Sequence, residues 1–135
     1  MSTETMRWPS GTGSIDFSEL EGKKITAVEM FTVEDNDGLL FTDSNGQQYL
    51  MTHRQDCCES VYLADVVGDW DDIVGDTVIS AVCTFQDSPD ASESGTWSFY
   101  SIVTFKGCVT LRWNGESNGY YSEEAGFYKI VPDRD

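Results

Sequence analysis

Short apolar and β-branched runs of strand length recur along this chain, some alternating with polar residues at the two-residue period, and clusters of Gly, Asn, Asp and Ser break them at short intervals. "KKITAVEMFTV" (23–33) mixes apolar and β-branched residues at strand length, and "EDNDG" after it is a turn by composition. "LLFTDSNGQQYLMTH" reads as two strands around Asn45-Gly46, a dipeptide that tolerates the positive φ angles of a tight hairpin. "VYLADVV" fits either a strand or a helical turn. "GDWDDIVGD" (68–76) predicts one short helix over 69–74, with acids near its start, Trp70, Ile73 and Val74 at helical spacing, and a glycine to end it.

"TVISAVCTFQ" (77–86) sets Val78, Ser80, Val82 and Thr84 against Ile79, Ala81, Cys83 and Phe85, a strand with one strongly apolar face. An acidic loop, "DSPDASESG" (87–95), leads to "TWSFYSIVTF" and "CVTLRW", two strands joined across Lys106-Gly107. A two-residue turn there would pair Val103 with Thr110, Ser101 with Arg112 and Phe99 with Asn114. Tyr100, Ile102, Val109, Leu111 and Trp113 then share the core face, and Arg112 and Cys108 lie with Phe99, Phe105 and Val103 on the other. "GYYSEEAGFYKIV" (119–131) adds a last strand interrupted near Gly126. The expected fold is mainly β (α+β): a single antiparallel, strongly twisted sheet or small open barrel of about six or seven strands, with one short helix.

At 135 residues the chain has room for one domain, read as a polar arm over 1–14, pinned by Trp8, and a β-rich body over 15–135. No internal period recurs, so it is not a repeat array. Twenty-four acids against eight bases give a net charge of −16. Such a field repels nucleic acid and anionic membranes and attracts a basic protein surface; it also serves solubility in a salty cell. The N-terminus shows no secretory pattern and no segment reaches membrane-span length, so a cytoplasmic location is expected. Cys57, Cys58, Cys83 and Cys108 are accordingly expected as free thiols.

"HRQDCCESV" (53–61) holds the only histidine. Zinc would suit His53, Cys57 and Cys58, but adjacent cysteines on an extended chain point to opposite faces, and no metal or other cofactor is expected. A thiolate activated by His53 is the cysteine-enzyme alternative, although a field of carboxylates raises a thiol pKa. "RWNGESNGYYSEE" (112–124) packs Arg, Trp and two Tyr beside small turns. It is either a binding surface or a β-turn flanked by ordinary sheet aromatics.

The blocks "HRQDCCESVYLADVVGDWDDIVG" and "TFKGCVTLRWNGESNGYYSE" together resemble a family of small, uncharacterised proteins of phage and prophage genomes, which share H-x-Q-D-C-C-E-x-V, GDxDDxxG and RW-x-G-x-SNGYYSE. The resemblance spans roughly residues 24 to 125. It implies a phage-type accessory gene and no particular activity. If the two polar blocks meet, His53, Gln55, Asp56 and Glu59 face Arg112, Asn118, Tyr120 and Tyr121, with Trp113 and Glu116 beside them, as a binding site or a buried network that fixes register. The function expected is non-enzymatic binding and blocking of a host protein with a basic surface, such as a host-defence or nucleic-acid-handling factor. The alternatives are sequestration of a small nucleotide-like ligand, stacked on Tyr120, Tyr121 and Trp113 with Arg112 or Arg54 on its phosphate, and a cysteine-dependent enzyme or zinc protein.

Overall fold

The computed structural model describes residues 13–89, 91 and 93–130, together with the backbone of 5–6. Among the described residues ten strands form: β1 Thr5–Met6, β2 Gly13–Ser14, β3 Ile25–Val33, β4 Asn36–Asp43, β5 Gln48–Thr52, β6 Ser60–Val67, β7 Ser80–Asp87, β8 Ser94–Val103, β9 Cys108–Ser117 and β10 Gly126–Ile130. They make two sheets, a six-stranded one in the order β1-β3-β4-β5-β10-β2 and a four-stranded one in the order β6-β9-β8-β7. The fold is β-rich as expected, but the single sheet or open barrel is replaced by two sheets, and β1 joins β3 in parallel. The predicted arm and its anchor Trp8 lie outside the described residues, apart from β1 and β2.

The two sheets share one core. Leu39, Phe41, Tyr49, Met51 and Phe127 meet Tyr100, Ile102, Val109, Leu111 and Trp113 in it. Both sets are every-other-residue stripes, which is how a strand delivers one face to a partner sheet. The other face of the six-stranded sheet carries a smaller cluster of Val33, Leu40 and Leu50.

Local chemistry decides where the chain turns. Only Glu34 and Asp35 of "EDNDG" form the turn, both at positive φ (45° and 73°), so Val33 pairs directly with Asn36. The next hairpin closes through residues 44–47, with Gly46 at φ +80°; the Asp43 carboxylate accepts the N–H of Asn45 at 2.9 Å and of Gln47 at 3.0 Å.

The helix expected over 69–74 is one 3-10 turn, Trp70–Asp72, capped by Asp69. The chain cannot extend it, because residues just beyond are claimed by tertiary backbone bonds: Gly75 N–H donates to Ile25 at 2.7 Å and Val78 N–H to Lys23 at 2.8 Å. A second 3-10 turn, Phe17–Leu20, buries Phe17 and Leu20.

The β8–β9 hairpin has a longer turn than expected. Val103 pairs with Cys108, Ser101 with Thr110 and Phe99 with Arg112, two positions away from the register of a two-residue turn. Thr104 sets this: its N–H bonds the Gly107 carbonyl at 2.8 Å, and its hydroxyl reaches the carbonyl of Asp72. A slip of two keeps every side chain on its face. The predicted core face is therefore the buried one, despite the wrong register.

Candidate functional site

Two loops converge at one end of the four-stranded sheet, where Ser60 of β6 pairs with Glu116 of β9. Residues 53–59 join β5 to β6, and residues 118–125 join β9 to β10. The first loop is organised by Glu59, 4% exposed, whose carboxylate accepts the N–H of Asp56 at 2.8 Å and of Cys57 at 2.9 Å. Gln55 closes the loop from outside, its amide donating to the Glu59 carbonyl at 2.6 Å.

His53, 2% exposed, lies between two acceptors. Its Nε2 is 2.8 Å from Glu59 Oε2 and its Nδ1 is 2.8 Å from the carbonyl oxygen of Glu124. Burial pushes the Glu59 carboxyl pKa up, but the N–H of Cys57, the His53 ring and the N–H of Asp56 together outweigh it and bring it down to about 2. Both ring nitrogens are therefore engaged, one by a carboxylate and the other by a backbone carbonyl. His53 and Glu59 thus form a buried hydrogen-bonded pair, and the contact to Glu124 ties the two loops together.

Cys57 and Cys58, expected as free thiols, are joined as a disulfide between neighbours, while Cys83 and Cys108 are free. Free thiols were expected from a cytoplasmic location; the two residues sit in a bend of the loop that Glu59 folds back on itself. The His53 ring has no nitrogen left to act as base for either sulfur. Among the described residues no three His, Cys, Asp or Glu side chains gather as a cation site.

Thiol labelling tests this arrangement. Cys108, exposed, is expected to react first with iodoacetamide at neutral pH. Cys83 should react slowly, since burial pushes its thiol up to about 11, with Tyr100 pulling back and the carboxylates of Glu124 and Asp16 adding to the rise. Cys57 and Cys58 should label only after reduction. Four labels on the unreduced protein, read by intact mass, would contradict the pairing.

The second loop is organised by another buried carboxylate. Glu123, 9% exposed, accepts from the hydroxyls of Ser117 and Thr96, the latter at 2.8 Å. Burial raises its pKa, and the hydroxyls of Ser117, Thr96 and Ser94 reverse the shift, leaving it lowered. Gly119 at φ +92° and the Asn118 side chain, accepting from Tyr120 N–H at 3.0 Å, shape the tip. Tyr120 stands 84% exposed there, edge-on to Tyr121 at 5.2 Å.

The ten residues expected at the site therefore separate into groups. His53 and Glu59 are buried together; Gln55 and Asp56 are exposed on the same loop; Asn118, Tyr120 and Tyr121 lie on the second loop. Glu116 is exposed at the end of β9. Trp113 is wholly buried in the core.

Arg112 does not face the acidic block. It lies on the outer face of the four-stranded sheet, 3.6 Å from Asp65 and with its guanidinium 5.0 Å from the centre of the Trp97 ring and 5.9 Å from that of Phe99. Sequence reasoning set Phe99 on the face of Arg112 but missed Glu123, Asp65 and Trp97. In the actual hairpin register Phe99 stands directly across from Arg112, with Trp97 two residues along the same strand.

Much of the three-block pattern is thus explained by folding. Glu59, Ser117, Asn118 and Gly119 shape loops, and Gly68, at φ +115°, lies where a Cβ would collide with the Cys108 carbonyl at 2.6 Å. No curated protein and no solved structure matches the chain. Residues 18–127 match the family described as Domain of unknown function (DUF7448), and the chain belongs to that family.

Proposed function

We propose that this chain is a non-enzymatic binding protein whose partner is a protein with a basic surface. The observation that carries the reading is the division of labour in the two loops. His53, Glu59 and Glu123, the groups a catalyst would use, are engaged in internal hydrogen bonds, whereas Gln55, Asp56, Asn118 and Tyr120 are displayed on the loops those bonds hold. General acid–base catalysis needs a group free to exchange its proton with substrate. Binding gains from a surface ordered in advance, and exposed tyrosine supplies contact area at low entropic cost.

The net charge of −16 supplies long-range attraction for a cationic partner. An accessory role in a phage, blocking a host-defence or nucleic-acid-handling factor in the host cytoplasm, fits this charge and the resemblance to phage and prophage proteins. Nucleotide sequestration is supported less well: buried Trp113 offers no face for stacking, and Arg112 is already engaged. Immobilised protein is expected to retain a saturable, basic partner from host lysate at about 0.05 M salt and to lose most of it at about 0.5 M, where the Debye length falls below about 5 Å. Absence of such a partner, or retention that ignores salt, would overturn the reading.

A further inference from the structure

Both edges of the six-stranded sheet end in two-residue strands, β1 and β2. In the four-stranded sheet β6 is an edge with an irregularity between Leu63 and Asp65. The opposite edge, β7, runs for eight residues in unbroken register with β8 and contains no proline, lysine or arginine. The Phe17–Leu20 turn packs against it and Glu21 covers Ala81, but beyond Ala81 it lacks the proline, lysine or bulge by which natural edges avoid pairing.

The direction of its backbone groups follows from two bonds. Ala81 N–H points away from β8, to the Glu21 carboxylate at 3.1 Å, whereas Ser88 N–H points toward β8, to the Gly95 carbonyl at 2.9 Å. Even-numbered residues thus spend their amides within the sheet, and Cys83 and Phe85 present theirs outward. No other described strand lies beside them. Val82 is 48% and Phe85 53% exposed, so apolar side chains flank the open edge on both faces. Acids frame it: Glu21 beside Ala81, Asp16 and Glu124 close enough to act on the Cys83 thiol, and Asp87 at the far end.

We propose that β7 is a docking edge that takes an extended segment of a basic protein as an added strand, its Lys or Arg side chains turned toward Asp16 and Glu124 and alternating with apolar residues that lie beside Val82. Strand addition draws affinity from the outward amides and carbonyls, and alternate side chains confer selectivity. A second copy of this chain is the wrong occupant, because pairing β7 with itself would bring the acidic frames together. The inference rests on the partner reading above and adds where and how that partner is held.

The probe is an octapeptide alternating Lys and Val, compared with one alternating Glu and Val, with amide hydrogen exchange as the readout. The Lys peptide is expected to slow exchange at Cys83 and Phe85 by about tenfold or more at saturation, while Val82 and Thr84, already bonded to β8, change little. Phe85→Pro removes an outward donor that the β8 ladder does not use, a substitution edge strands accept, and should weaken binding about tenfold. Should that variant fail to fold, Asp16→Asn combined with Glu124→Gln tests the charge frame, and is expected to weaken binding of the Lys peptide and flatten its salt dependence.

Protection confined to residues 118–122 would overturn the edge and leave the partner reading standing. Equal binding of the Glu peptide, no binding of either, or self-association that protects Cys83 and Phe85 without peptide would each overturn the edge as well. Loss of salt-sensitive capture from lysate is the separate result that removes the partner reading.

Discussion

His53→Ala is expected to destabilise the protein by about 2–3 kcal/mol, the cost of leaving a buried carboxylate short of a hydrogen-bond partner. The substitution removes the ring nitrogen on Glu59 Oε2 and leaves a carboxylate at 4% exposure without that partner. It also frees the Glu124 carbonyl, the point at which the two loops are joined. Urea unfolding measures the loss, and a change below about 1 kcal/mol would show that the pair contributes little.

The same pair fixes a pH response. Glu59 has a folded pKa of about 2 against an ordinary value of 4.5, so the unfolded chain binds its proton more readily. Its contribution is complete above the unfolded value and is lost as pH falls toward 2. Acid unfolding of the parent should therefore show a component in that window. In His53→Ala, where one cause of the depression is gone, the component should move to higher pH.

Gly115→Ala is expected to be the most damaging change that alters a single methyl group, at about 3 kcal/mol or more. Gly115 lies in β9 where the returning loop crosses it, and an added Cβ would collide with the Glu123 carbonyl and come within 2.8 Å of the Glu123 Cα. Both obstacles are backbone, so no rotamer change relieves them. Moving the loop would disturb the Glu123 carboxylate, the Glu124 carbonyl on His53 and the Ala125 carbonyl that accepts from Tyr100 at 2.7 Å. Loss of near-ultraviolet dichroism together with lowered stability is the expected signature. A variant that melts like the parent would mean the loop has another path.

Gly115 also shows what a sequence leaves out, since the reason for this glycine lies in Glu123, on the far side of a loop. Side-chain pattern and turn residues were enough for β3–β5 and β7–β10, though not for β1, β2 or β6, and for the buried face of the β8–β9 hairpin, because alternation is a local property that survives a register slip of two. The separation of the strands into two sheets was not legible. It depends on which distant segments exchange backbone bonds, such as β5 with β10, and no side-chain pattern encodes a partner.

The site divided in the same way. Composition singled out the 53–61 and 112–124 blocks, and the contact between His53 and Glu124 joins them. Pairing Arg112 with the acidic block failed, because alternation sends residue 112 to the face opposite Trp113, where Asp65, Trp97 and Phe99 wait. Charge, strand content and the core stripe were determined by the sequence itself. Sheet membership, the His53–Glu59 pair, the joining of Cys57 to Cys58 and the open edge of β7 were decided only in three dimensions, since each depends on what packing brings near and what it leaves uncovered.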